Sequence, residues 1–179
     1  YKREEIEIMA PVGSFESLAA AVQSKADSIY FGIEQLNMRA GSSKNFTTED
    51  LKEIVRICNE NKIRSYLTVN TIIYDHDMNL MKQILDTAKK SGITAVIASD
   101  QAVMNYAHSI GAEVHISTQL NVSNIETVKF YSNFADVMVL ARELSLKQVK
   151  HITEEIEKQE IKGPSGKLVQ IEIFAHGAL

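Results

Sequence analysis

Residues 95–117 read Ala95-Val96-Ile97-Ala98-Ser99-Asp100-Gln101-Ala102-Val103-Met104-Asn105-Tyr106-Ala107-His108-Ser109-Ile110-Gly111-Ala112-Glu113-Val114-His115-Ile116-Ser117. Two short apolar runs, Ala95–Ala98 and Val114–Ser117, enclose a stretch in which Val103, Met104 and Ala107 recur at helical spacing. Asp100 stands where it can cap that helix, and Gly111 stands where the chain must turn out of it. Strand, helix and strand in so short a span make a βαβ unit, the connection that parallel strands require.

The same alternation extends in both directions. Strand-like runs occur at Glu5–Met9, Ser28–Gly32 and Ser65–Asn70 before this unit, and at Val137–Leu140 and Val169–Phe174 after it. Helical faces are predicted from Phe15, Leu18, Ala19 and Val22; from Leu51, Ile54, Val55 and Cys58; from Met81, Ile84, Leu85 and Ala88; and from Val149, Ile152 and Ile156. Ser14 precedes the first helix. Thr47 is followed three residues later by Asp50, Ser123 by Glu126 and Ser145 by Gln148, the last two reading as capping boxes. Gly92 marks another helix end, and Pro11 and Pro164 both lie outside the helices.

Seven strands alternating with six helices fit either an open doubly wound sheet or a (β/α)₈ barrel. The side chains favour the barrel. One strand face is apolar (Ile6, Ile8; Ile29, Phe31; Leu67, Val69; Val114, Ile116; Ile171, Ile173), whereas the other carries Glu7, Tyr30, Tyr66, Thr68, Asn70, His115, Ser117 and Glu172. A sheet covered by helices on both faces reads apolar on both, and a barrel tolerates polar residues on its lumen side near a site. The expectation is an α/β fold: one incomplete (β/α)₈ TIM-type barrel over residues 1–179, lacking its eighth strand.

Composition excludes several classes. The formal net charge of -4 gives no general polybasic surface, so a nucleic-acid partner needs a local patch. No run of about 18 apolar residues exists to span a membrane. The charged start Tyr1-Lys2-Arg3-Glu4-Glu5 is unlike a signal peptide, and a single cysteine, Cys58, excludes an internal disulfide; together these point to the cytoplasm. Cys58 falls on an apolar helix face and reads as core. No metal-ligand motif is present.

In a (β/α) barrel the site forms at the C-terminal strand ends. Ser14, in the turn after strand one, heads a helix whose amides can hold an anion, although an ordinary capped turn fits as well. The long loop after strand two carries Asn37, Arg39, Ser42, Ser43 and Lys44; Arg39 can clamp a phosphate or carboxylate, or pair with a surface acid. Asn70 ends strand three. His115 and Ser117 share the polar face of strand five, and Gln119 and Asn121 continue over its rim. Arg142-Glu143 leaves strand six as an ion pair or with the arginine facing a substrate anion. Glu172 lies on strand seven and His176 just past it. His115, Glu172 and His176 are the catalytic candidates; Ser14, Asn37, Arg39, Asn70, Ser117, Gln119 and Arg142 are the substrate-binding candidates. A structural network of Glu7, His115 and Glu172 is the alternative reading of the same polar face.

The C-terminal stretch Glu172-Ile173-Phe174-Ala175-His176-Gly177-Ala178-Leu179 resembles the first half of the signature of the peptidase U32 family, the collagenase-like proteins of unknown catalytic type. Ile8–Glu16, Ala26–Gly32, Leu36–Ala40, His115–Gln119 and Ala141–Ser145 resemble the same family in the same order. The resemblance implies that the chain is the N-terminal portion of such a protein, ending before the family's cysteines. It also implies an enzymatic parent, either a collagenase-like peptidase or a hydroxylase of an RNA pyrimidine (tRNA uridine or rRNA cytidine) or of a quinone precursor, with an iron–sulfur cluster on C-terminal cysteines. A non-catalytic scaffold or binding module is the third alternative. No cofactor is expected within this chain, since a cluster usually takes four cysteine ligands. The fragment alone is expected to be inactive, with RNA or peptide as the parent's substrate and its open edges at Glu5–Met9 and Val169–Phe174 allowing a homodimer.

Overall fold

The computed structural model describes residues 6–33, 36 and 46–176. Its strands are β1 (Met9–Pro11), β2 (Ser28–Phe31), β3 (Arg64–Val69), β4 (Ala95–Ala98), β5 (Glu113–Ile116), β6 (Val137–Val139) and β7 (Gln170–Glu172). Between them lie α1 (Phe15–Gln23), α2 (Thr48–Glu60), α3 (Met78–Ser91), α4 (Gln101–Ser109), α5 (Ile125–Tyr131) and α6 (Leu146–Lys158). The contacts divide the chain into two compact units, Tyr1–Ala112 and Glu113–Leu179.

In the first unit β1 to β4 pair in chain order, all parallel. The register sets Pro11, Tyr30, Tyr66 and Ala95 side by side in one row, with Thr68 and Ile97 in the next. This face carries a cluster of Tyr66, Ala95 and Ile97, with Met9 and Tyr30 packed on it. The opposite face holds Ile29, Leu67, Val69, Val96 and Ala98, all essentially inaccessible. Helices α2 and α4 contact β3 and β4, and they bury Leu51, Ile54, Val55 and Cys58, and Val103, Met104 and Ala107. Helix α3 buries Met81, Ile84, Leu85 and Ala88. Those three faces are the ones the helical spacing predicts.

In the second unit β5, β6 and β7 are likewise parallel and in chain order. Before β7, an antiparallel bridge between Lys162 and Leu168 closes a tight loop around Gly163 and Pro164. Asp136 anchors that loop: its Oδ1 accepts the Ser165 amide (3.1 Å) and hydroxyl (2.6 Å), and its carbonyl accepts the Gln170 amide (2.9 Å). The entry of β7 is thereby tied to the start of β6.

Three sequence expectations shift. Strand one pairs over Met9–Pro11, later than Glu5–Met9. The carbonyl of Ile8 already accepts from Asp27 N and Ser28 N, and its amide donates to Asp27 Oδ2 at 2.7 Å, so the chain reaches β2 through this junction before the ladder begins. Ile6 and Ile8 stay half-exposed instead of covering a helix-facing surface. Helix α1 buries Leu18 and Ala21, not Ala19, and Phe15 stays partly exposed, stacking edge-on against Phe46 at 5.4 Å. The cap of α5 is Asn124, whose side chain accepts Thr127 N, one residue past the Ser123–Glu126 box. Asn124 sits in extended backbone and satisfies the first turn directly. The boxes at Thr47 and Ser145 are both formed.

Candidate functional site

The C-terminal ends of the strands are built separately in the two units. In the first, Ser14 is committed to α1. Its Oγ accepts Ser17 N (3.2 Å), and Ser17 Oγ returns to accept Gly13 N (3.1 Å) and Ser14 N (3.0 Å). The amides of Gly13, Ser14 and Ser17 are therefore engaged within the turn. Asn70 follows β3 and is half-buried. Nearby in sequence, the hydroxyls of Thr68 and Thr71 are buried with no hydrogen-bond partner among the described residues. Such groups cost free energy unless a water or ligand meets them. Asp100 organises this rim: Oδ1 caps α4 through Ala102 N (2.8 Å), and Oδ2 accepts Ile73 N (3.0 Å), pinning the loop after β3. Asn37 and Arg39 lie outside the described residues.

Glu7 is held by two partners. Tyr66 donates its hydroxyl to Oε1 (2.5 Å), and Arg64 pairs with Oε2 (2.7 Å). The sequence places Glu7 and Tyr66 on one face, and the fold joins them.

In the second unit the register sets His115 beside Val137 and Gln170, and Val139 beside Glu172. Because side chains alternate along a strand, His115 and Glu172 share one sheet face, a row apart. His115 is buried, and its Nε2 meets Glu113 Oε1 at 2.9 Å. Sequence reasoning missed Glu113. The available signal was its position two residues before His115, which puts both side chains on the same face. Ser117 is buried and caps the short 3₁₀ turn Thr118–Leu120 through Gln119 N (3.4 Å). Its hydroxyl thus holds the loop in which Gln119 lies.

Beyond β6, the Arg142 guanidinium lies 5.9 Å from the centroid of the Phe174 ring, which follows β7. That contact replaces the expected pairing: among the described residues, no ion pair joins Arg142 to Glu143. Phe174 is 46% exposed, and Arg142 and His176 are exposed as well. An aromatic ring with a guanidinium over it, open to solvent at strand ends, is a surface on which a planar group can stack. Phe174 went unremarked as a site residue because an aromatic at a strand end usually reads as core.

Cys58 is not placed to act as a nucleophile. Cys58 is fully buried, and burial pushes its thiol up to about 11, away from a reactive thiolate. Ser117 is occupied as a cap, and His115 is engaged by Glu113. No group of three or more His, Cys, Asp or Glu able to hold a metal ion occurs among the described residues.

Parallel strands alternating with helices in chain order, with polar side chains toward the strand ends, define a (β/α)-barrel type of protein, seven strands of which lie among the described residues. The solved structure of a U32 peptidase shares this fold, at TM-score 0.69 and 13% identity over 96% of this chain and 93% of that one. The chain belongs to Peptidase family U32, whose family model matches residues 13–179. It is 61% identical over 98% of its length to a protein of Porphyromonas gingivalis named collagenase, of which it covers 42%. It is also 28% identical over 97% of its length to tRNA hydroxylation protein P1 of Bacillus subtilis, of which it covers 39%. The chain therefore spans about two fifths of the length of each of these two relatives. No helix among the described residues is long and apolar enough to cross a membrane.

Proposed function

We propose that the protein to which this chain belongs hydroxylates a pyrimidine in RNA, a tRNA uridine or an rRNA cytidine, and that this barrel portion presents the base. The Arg142–Phe174 pair is the observation that carries the reading, because it offers an exposed stacking surface at the strand ends. Bases splayed from single-stranded RNA are recognised by stacking on aromatic rings and guanidinium planes. His115, Glu172 and His176 are the polar groups proposed to face the reacting base, with Ser117 and Gln119 on the rim of the same unit; Asn70 is the rim candidate of the first unit. Arg39 and Asn37 are proposed to meet phosphate or ribose.

An iron–sulfur cluster does not fit this chain, which supplies one cysteine, and that one buried. Any such centre belongs to residues beyond these 179, and no step is derived through it. A homodimer and a cytoplasmic location complete the proposal.

The test is nucleoside mass spectrometry on tRNA and rRNA from cells with and without the gene. A hydroxylated pyrimidine should vanish on deletion and return with the intact gene. Complementation with Phe174→Ala or Arg142→Ala should restore it only in part. An unchanged nucleoside profile would overturn the proposal.

The 61% identity to the Porphyromonas protein favours collagenase-like peptidase activity as the second reading. It predicts that purified full-length protein cuts gelatin and that one defined substitution abolishes cutting. Activity that survives replacement of His115, Glu172 and Arg142 would leave this portion as a scaffold.

A further inference from the structure

At the opposite end of the first unit's strands, the chain repeats one junction. Ser24-Lys25-Ala26-Asp27-Ser28 leads from α1 into β2, and Asn61-Lys62-Ile63-Arg64-Ser65 leads from α2 into β3. In each, the lysine takes the left-handed conformation, with φ of 57° at Lys25 and 59° at Lys62. After α3 and α4 the left-handed residue is Gly92 (φ 88°) and Gly111 (φ 67°). Glycine adopts that conformation without steric cost, whereas lysine does not. Two adjacent junctions thus carry a strained cation where their neighbours carry glycine.

The two junctions lie side by side, since Ser28 pairs with Arg64. They line a cleft of about 550 Å³ whose charged residues are Lys25, Lys62, Arg64 and Asp27. The carboxylates nearby are engaged: Asp27 Oδ2 accepts the Ile8 amide at 2.7 Å, and Glu7 holds Arg64 and Tyr66. Among the described residues, neither Lys25 nor Lys62 has a carboxylate within ion-pair distance. With Arg64 paired to Glu7, the two unpaired lysines set the sign of the cleft, a positive concavity in a chain of net charge -4 and the local patch that an anionic partner needs.

We infer that the Lys25–Lys62–Arg64 cleft binds phosphate groups, supplied by an RNA backbone or by a small free phosphate. The site stands independently of the hydroxylation chemistry and lies where α1 and α2 lead into β2 and β3. Lysine serves a phosphate as a flexible point charge.

The discriminating variant is Lys25→Gly with Lys62→Gly in the full-length protein. Glycine suits both left-handed positions, so thermal stability should hold or rise. Fluorescence anisotropy with a labelled single-stranded oligouridine between 50 and 200 mM salt reads the RNA arm. Loss of two phosphate contacts should make the slope of log affinity against log salt shallower by about 1.4. Lys25→Arg with Lys62→Arg should retain the wild-type slope. Calorimetry with inorganic pyrophosphate reads the second arm. Pyrophosphate binding that disappears in the glycine variant, with the RNA slope unchanged, would assign the site to a small phosphate. A folded glycine variant that matches wild type in both arms would overturn the inference and leave the lysines as helix-end charges. Because RNA affinity and nucleoside content are read separately, failure here and failure of the hydroxylation reading are distinguishable.

Discussion

Replacing Gly163 with alanine tests how β7 is delivered to the site. Its φ is not left-handed, so the constraint is space. A Cβ added there would lie 2.4 Å from Asp136 Oδ1 and 2.9 Å from both the Ala135 carbonyl oxygen and the Asp136 Cα. Ordinary contact needs about 3.5 Å, so the loop must back away by about 1 Å from the carboxylate and about 0.6 Å from the backbone. The carboxylate can swing aside, but that sacrifices its two hydrogen bonds to Ser165. The backbone atoms cannot swing. Overpacking costs about 1–3 kcal/mol, and two partly solvated hydrogen bonds add about 1 kcal/mol more. The expected total is about 2–4 kcal/mol, read from urea unfolding of the full-length protein. Locally, the Gln170 amide, which donates to Asp136 O, should lose protection in hydrogen exchange. In an Asp136→Ala background the same Gly163→Ala change should cost about 1 kcal/mol less, because the closest contact is already gone. A Gly163→Ala protein within about 0.5 kcal/mol of wild type, with unchanged exchange at Gln170, would refute the reasoning.

Cys58 should resist thiol reagents at pH 8 until the protein is unfolded, because it is fully buried and its thiol titrates near 11. The native state keeps the proton that an unfolded thiol releases near 9. The stability this contributes is therefore intact below pH 9 and falls as pH rises toward 11, by at most about 3 kcal/mol; a urea midpoint that falls more steeply in wild type than in Cys58→Ala between pH 9 and 11 would show it. Tyr66→Phe removes the hydroxyl that Glu7 accepts and should cost about 1–2 kcal/mol by urea unfolding. Glu7→Gln in that background should add only the loss of the partly exposed Arg64 ion pair, up to about 1 kcal/mol, because the shared hydroxyl bond is already gone.

Helices were the most legible part of the chain. Leu51, Ile54, Val55 and Cys58, and Met81, Ile84, Leu85 and Ala88, are buried as their spacing implies, because a helix of three or four turns has only one stripe to hide. Helix α1 carries three identical side chains in a row, Ala19-Ala20-Ala21, so which of them is buried was undetermined until the packing chose Ala21. Strand type was equally clear, but the start of β1 was not. Its limits depend on which carbonyls meet β2, and Ile8 turned out to serve the junction at Asp27 and Ser28 instead of the ladder.

The site divides in the same way. The sequence alone determined that His115, Ser117 and Glu172 lie on one kind of face, because alternation along a strand is a local property of the backbone. It also determined membership of a βαβ series and the absence of a cluster-forming cysteine set, both countable along the chain. Only the tertiary structure decided that His115 meets Glu113, that Arg142 stacks over Phe174, and that Lys25, Lys62 and Arg64 line one cleft. Arg142 and Phe174 are 32 residues apart, and Lys25 and Lys62 are 37 apart. Parallel pairing brings such residues together through an intervening helix, and the register that does so is set by packing across the whole sheet rather than by the residues that meet.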